Sequence, residues 1–269
     1  MYRIIFIFCL AIQALVWGHE GVYVAPVEKT PNEDAVVTKI IFPRPYENKR
    51  KMPINVQMRI EKFPLGILTK NKRANEIYHR RSGQAIHVII DNNPYISYNQ
   101  TLEGNGQTLD QLLSFHIQSS LKPGQHVLRA FPVYSYGESV KGKGPFSAEI
   151  FYYQDKHKAD TLNVDLQKPY LTYNEPQGKY PRGKSNPILL DFLLANCTLS
   201  QNGYKVGLTI DGKRIQMLTD YAPYYIYNLS PGKHLIKLEL LDHNHQGVPG
   251  FFNVVEREIE IEHYIDSES

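Results

Sequence analysis

His87, Asp91, Arg129, Tyr136, Glu138, Ser139 and Lys141 are the residues of this 269-residue chain whose types and spacing best suit a binding site. His87 and Asp91 stand four positions apart in AIHVIID, which puts both on one face of a strand. Arg129 begins LRAFP, and Tyr136, Glu138, Ser139 and Lys141 sit on the loop after it. Arginine supplies a two-pronged donor and neutral histidine a single one, so with Glu138 the set suits an anionic or sugar-like ligand. The same residues also read as structure: a core-edge histidine, an aspartate capping a turn, and an Arg129–Glu138 ion pair.

Other residues carry weaker chemistry. His126 and His234 occupy the same place in two similar stretches, LKPGQHVLRAF and LSPGKHLIKLEL, which argues for a role in the fold. His243, His245 and Asp242 have the makings of a metal loop, but no third strong ligand lies nearby and the loop reads as solvated. If cleavage follows Gly18, His19 becomes an N-terminal histidine, whose amine and imidazole grip copper together with a second histidine. Tyr221, Tyr224, Tyr225 and Tyr227 form an aromatic run, suited to sugar rings on one face and to core packing on the other. There is no Gly-x-Ser-x-Gly, no His-Glu-x-x-His and no phosphate-cradling glycine loop, so no catalysis and no cofactor is expected.

The elements that must position these residues are short strands. The Pro-Gly turn and strand at Leu229–Leu240 echo Leu121–Phe131, and Pro231 follows Pro123 by 108 positions (231 − 123), which implies one domain written twice. Strand patterns fall at Ala35–Phe42, Ile54–Ile60, Ala85–Ile90, Val127–Val133 and Phe146–Tyr153, with Leu109–Ser119 open between helix and strand. The second series runs Tyr170–Tyr173, Ile188–Ala195, Gly203–Ile210, Ile215–Leu218, Tyr224–Tyr227, Lys233–Leu241 and Val254–Ile261. Asp211-Gly212 marks a hairpin. Val88–Asp91 answers Leu208–Asp211, and Phe146 answers Phe252. Leu208 is placed at the His87 position and Ile236 or Lys237 near Arg129. The reading is all-β: two tandem antiparallel immunoglobulin-like β-sandwiches over residues 36–153 and 169–262, joined by a linker at 154–168. Residues 19–35 read as an extended lead-in, and Lys70–Arg81 as a charged loop with a short helix.

Met1–Gly18 reads as a signal peptide: Arg3, an apolar stretch from Ile4 to Val16, then Gly18 near a cut. The stretch is short for a membrane span, which needs about 20 apolar residues. The protein is therefore expected to be exported, to the periplasm, the cell envelope or the medium. Cys9 follows bulky Phe8, which argues against a lipid anchor there. Cys197 is the one cysteine left after cleavage and reads as a small buried apolar residue, so no internal disulfide is available. A net charge of +3 with mixed signs is too small to imply nucleic acid or membrane-surface binding. Asn99, Asn196 and Asn228 head glycosylation-type triplets at a frequency near chance.

Several segments resemble an uncharacterised family of bacterial exported proteins and lipoproteins: SGQAIHVIIDNNPY, PGQHVLRAFP and GES-x-K in the first half, KPYLTYNEPQGKY, LLDFLLANCTL, GYKVGLTIDG, APYYIYNLSPGKHLIKLELLD and VPGFFN in the second. The resemblance implies export and tandem sandwiches, and it implies no activity. The expectation is a non-enzymatic envelope protein acting as a ligand- or protein-binding or structural module, with an envelope protein or glycan as partner. The alternatives are a carbohydrate-binding accessory module and a copper-binding exported protein using His19.

Overall fold

The computed structural model describes residues 21–31, 36–77, 82–100, 110–118, 121–142, 144–156, 162, 164–181 and 187–262. The expected signal peptide, Cys9 and His19 lie outside the described residues. Strands dominate because β-branched and aromatic residues alternate with polar ones over runs of six to ten, punctuated by Pro, Gly and Asp turns.

The first half contains β2 (Val37–Phe42), β3 (Asn48–Lys49), β4 (Ile54–Glu61), β5 (Ala85–Ile90), β6 (Ile96–Tyr98), β7 (Asp110–Ile117), β8 (Gly124–Val133) and β9 (Ser147–Tyr153). A sheet ordered β2-β4-β7 faces one ordered β3-β9-β8-β5-β6. The second half contains β10 (Tyr170–Glu175), β11 (Gly178–Tyr180), β12 (Ile188–Ala195), β13 (Lys205–Ile210), β14 (Lys213–Leu218), β15 (Tyr224–Tyr227), β16 (Gly232–Leu241) and β17 (Val254–Ile261). Its sheets run β10-β12-β15 and β11-β17-β16-β13-β14, which is the same order read strand for strand. Even the parallel pairing of β3 on β9 recurs as β11 on β17. The all-β, duplicated-sandwich architecture is thus what the chain forms.

One element departs from the sequence reading, one settles what that reading left open, and one agrees with it. The lead-in is not merely extended: β1 (Tyr23–Pro26) pairs antiparallel with the outer edge of β15, so the second sandwich takes a strand from ahead of the first. Within Leu109–Ser119 the described residues form strand β7, with Leu113 and Ile117 turned into the core beside β4. The charged stretch at 70–81 holds one turn of 3-10 helix, Lys72–Asn75, capped by the Asn71 side chain on the Arg73 N–H.

Each half encloses its own apolar core. Val56, Met58, Ile60, Ile86, Val88, Ile90, Leu128 and Ala130 line the first. Leu190, Phe192, Val206, Leu208, Ile210, Ile236, Leu238 and Leu240 line the second. Each such Ile, Leu or Phe contributes about 1.5–3 kcal/mol. That burial takes the place of cross-links: the described cysteine, Cys197, is free and partly buried, and burial pushes its thiol up to about 11.

The repeated histidines are clamps. His126 Nδ1 lies 2.8 Å from Asp91 Oδ2 and its Nε2 2.7 Å from the Lys122 carbonyl, while Asp91 Oδ1 accepts the Val127 N–H. His234 repeats this with Asp211, Ser230 and Leu235. Both aspartates stand in the left-handed region, at φ 55° and 49°, where an Asp side chain bonds locally and tolerates the conformation. Asp91 thus turns out of the strand and does not share a face with His87. The clamps also fix the equivalences: four residues before Asp211 is Gly207, not Leu208, so glycine stands where the first half has His87. Arg129, three past His126, answers Lys237. Phe146, five before the His126 partner Phe151, answers Val254 rather than Phe252.

Both nitrogens of His126 face acceptors. Burial pulls its pKa down, but Asp91 and the Lys122 carbonyl more than offset this, and the net shift is upward. The stability it adds is therefore complete below about pH 6.5 and lost as pH rises through the raised value. Asp91→Ala is expected to cost about 2 kcal/mol, and the more exposed Asp211→Ala about 1 kcal/mol. Adding His126→Ala to Asp91→Ala should cost little more by urea midpoint, and full additivity would show that the pair is not one unit.

Candidate functional site

The first half's five-stranded sheet is covered on both faces, and every residue of β5 and β8 is buried. Ile86, Val88, Leu128 and Ala130 point to the first core. Ala85, Ile89, Phe131 and Val133 point the other way, onto Tyr95 and Leu193, and Val127 packs with Tyr170 and Phe252. The second half, through β10 and β12, covers this outer face. The seven residues expected to form a binding site belong to this joint or border it.

His87 is 1% exposed and reaches Asn174 Oδ1 at 2.7 Å through Nδ1. Tyr95 stacks on its ring at 3.6 Å. Asn174 then donates through Nδ2 to the Gly137 carbonyl at 2.7 Å and to Asp191 Oδ2 at 2.8 Å. Asp191, fully buried, accepts the Lys141 ammonium at 2.6 Å and the Ser139 N–H at 3.2 Å. Lys141 completes its three donors on Ser139 Oγ and the Phe192 carbonyl. His87, Ser139 and Lys141 are thus parts of one chain of bonds across the joint.

Arg129, 1% exposed, bonds to no carboxylate among the described residues. Its guanidinium donates to the Leu171 and Asp91 carbonyls, to Thr172 Oγ1 and to Asn92 Oδ1. The Phe252 ring lies 3.9 Å away, a cation–π contact with the second half. Burial holds its pKa down to about 9, against weak support from Tyr170 and Asp91. The expected Arg129–Glu138 pair does not form. Glu138 pairs with Arg73 at 2.6 Å, both buried, and accepts the Thr30 N–H and hydroxyl at 2.9 and 2.7 Å. Burial raises the Glu138 pKa, with Arg73 and Thr30 working against it. Tyr136 shares the Thr30 hydroxyl at 2.6 Å. The Glu138 cluster thereby fastens the segment that leads from β1 over the first half.

His87, Arg129 and Glu138 therefore do not converge on open space, and a ligand would meet them only if the halves parted. The sequence reading missed Asn174 and Asp191, the second-half partners. Asp191 carried a signal, a lone charge inside the apolar run ILLDFLLA, where an unpaired carboxylate is costly. Glu175 was missed too: it accepts the hydroxyls of Tyr95 and Tyr180, each at 2.7 Å. In the tyrosine run, Tyr224 fills the second core and Tyr225 the first, so both faces of β15 are covered. Asp242 folds the His243–His245 loop onto itself by accepting the N–H groups of Asn244 and Gln246. Among the described residues no group of three metal-ligating side chains forms. The amide nitrogens of Asn99, Asn196 and Asn228 all donate to backbone carbonyls.

Beside the joint lies an open trough of about 1030 Å³. β9 and the turn before β3 form one wall, and β12 with its following loop forms the other. Phe146, Tyr170 and Tyr221 line it, Tyr46 stands at its edge, and Glu149, Asn196 and Cys197 supply polar groups.

No family model matches the chain, and no curated protein matches it. Among solved structures, the fibronectin(III)-like modules of Clostridium thermocellum CbhA align over 86% of this chain and 100% of theirs, at 12% identity and a TM-score of 0.28. Dimeric latent PorU from Porphyromonas gingivalis aligns over 88% of this chain and 21% of its own, at 13% identity and a TM-score of 0.29. The Bacteroides ovatus glucan-utilisation protein SGBP-B, solved with a mixed-linkage heptasaccharide, aligns over 86% and 76%, at 12% identity and a TM-score of 0.21.

Proposed function

We propose that the chain is a non-enzymatic, exported envelope protein whose two sandwiches act as one rigid binding or structural module. The observation that carries this reading is the joint: His87, Arg129 and Lys141 bond one sandwich to the other, through Asn174, Leu171, Thr172 and Asp191, while Glu138 is taken up by Arg73 and Thr30 and Asp91 by His126. A catalytic group must reach a substrate, and these groups reach each other. The strap from β1 to Thr30 supports the same reading, because it bonds both halves. The resemblance of the quoted segments to exported bacterial proteins supports export, and no helix among the described residues is long and apolar enough to cross a membrane.

Calorimetry tests the rigid module. A joint this extensive should make the sandwiches melt in one transition, and two separated transitions would sink the reading. Export is tested separately. Expressed with its own N terminus in a Gram-negative host, the protein should leave the cytoplasm with an intact mass beginning near His19. The full-length mass retained in the cytoplasm would refute it.

A further inference from the structure

We infer that the trough between the sandwiches binds a neutral oligosaccharide, with Tyr46 as the ring on which a sugar stacks. This rests on the reading of a non-catalytic binding module and names its ligand class. Tyr46 is 59% exposed, more than any other large apolar side chain among the described residues. A single exposed aromatic is unremarkable in itself. Tyr46, however, stands at φ 58°, in the left-handed region that a bulky residue rarely occupies, held there by its N–H on the Ile150 carbonyl at 2.6 Å. A glycine or asparagine would sit there at less strain. The strain coincides with the rim of the trough, and strained backbone collects at binding sites.

The lining selects the ligand. Among the described residues of the trough there is no lysine, arginine or histidine, and there is one carboxylate, Glu149. Among these described lining residues a phosphate, sulfate or carboxylate ligand would meet no positive partner. The Tyr46 hydroxyl, the Gln167 amide, Thr198 and Glu149 are donors and acceptors suited to sugar hydroxyls, and Asn196 keeps its Oδ1 as an acceptor. Phe146 and Tyr221, both partly exposed, add aromatic surface for the C–H faces of pyranose rings, on a floor made by buried Tyr170. The volume, about 1030 Å³, admits several sugar units rather than one.

The test is a titration of the mature protein with cellohexaose, xylohexaose, maltohexaose and chitohexaose, read by calorimetry. Alkylation of Cys197, followed by peptide mass mapping, locates the binding, because that thiol lines the trough. At least one hexasaccharide should bind and slow Cys197 alkylation. Tyr46→Gly should weaken binding at least tenfold while leaving the melting temperature unchanged or raised, since glycine relieves the left-handed strain. Phe251→Ser, an exposed aromatic outside the trough, should leave binding unchanged. No binding by any of the four sugars, or equal binding by the Tyr46→Gly protein, overturns the inference and leaves the rigid module standing. Cleavage of a bound sugar, seen by mass, would instead refute the non-catalytic reading while leaving the site in place.

Discussion

Asp191→Ala is expected to cost about 3–5 kcal/mol, enough to consume much of the stability of an ordinary domain. The reason is what stays behind. Lys141 would keep its ammonium in a nearly closed site without its 2.6 Å carboxylate, and Asn174 and the Ser139 N–H would each lose an acceptor. The intact pair need not be strongly favourable, since desolvation cancels most of its attraction; breaking it is what costs. Lys141→Met alone leaves Asp191 buried with only neutral donors and should be similarly severe. Lys141→Met with Asp191→Asn removes both charges and should restore about half of the loss. Urea midpoints of the parent, Lys141→Met, Asp191→Asn and the double variant close the cycle. Additive losses would show that the two side chains do not act as a pair across the joint. Because Lys141 belongs to the first half and Asp191 to the second, Asp191→Ala should also split the single melting transition into two.

The sandwiches themselves were legible because their signals are local and repeated. Turn chemistry at Pro123-Gly124, Pro231-Gly232 and Asp211-Gly212, and period-two burial of His234, Ile236, Leu238 and Leu240 are all written in adjacent residues. The joint was less legible because its partners lie far apart in sequence, as His87 and Asn174 do across 87 positions. One trace was available. KHLIKLEL alternates because the outer face of its sheet meets solvent, and there Arg214 lies across Gly207 and pairs with Glu239. AIHVII and VLRAFPV do not alternate, and a strand without alternation is covered on both faces. Their polar members, His87 and Arg129, were therefore certain to need buried partners rather than free to meet a ligand. β1 left no comparable trace. Four residues, YVAP, are too few to show a period, and their place on β15 depends on an edge formed two hundred positions later.

Stability should fall steeply between about pH 10 and pH 12, by roughly 5 kcal/mol in total. Burial raises the phenols of Tyr136, Tyr170 and Tyr224 to about 12; the Thr30 bond pulls Tyr136 down while Glu138 pushes it up, Arg129 pulls Tyr170 down, and Asp220 lowers Tyr224 through its backbone bond and raises it through its charge. Tyr173 and Tyr180 are pushed well above the ordinary value, Tyr180 by burial first and by Glu175 beside it. The sign follows from which state holds the proton. A phenol with a raised folded pKa stays neutral in the native protein while the unfolded chain ionises near pH 10. Its contribution is thus whole below pH 10 and is lost as pH climbs through the folded value. Arg129 opposes this, because a cation held down to about 9 favours the native state as it sheds its proton, but one group does not balance several. Tyr95 and Tyr180 make the joint the place where the loss is felt, since ionising either hydroxyl would set a phenolate against Glu175. Urea midpoints taken across this range, together with tyrosinate absorbance, decide the matter. Absorbance should lag behind that of free tyrosine and then rise with unfolding; absorbance that tracked free tyrosine in a still-folded protein would show that these rings are wet.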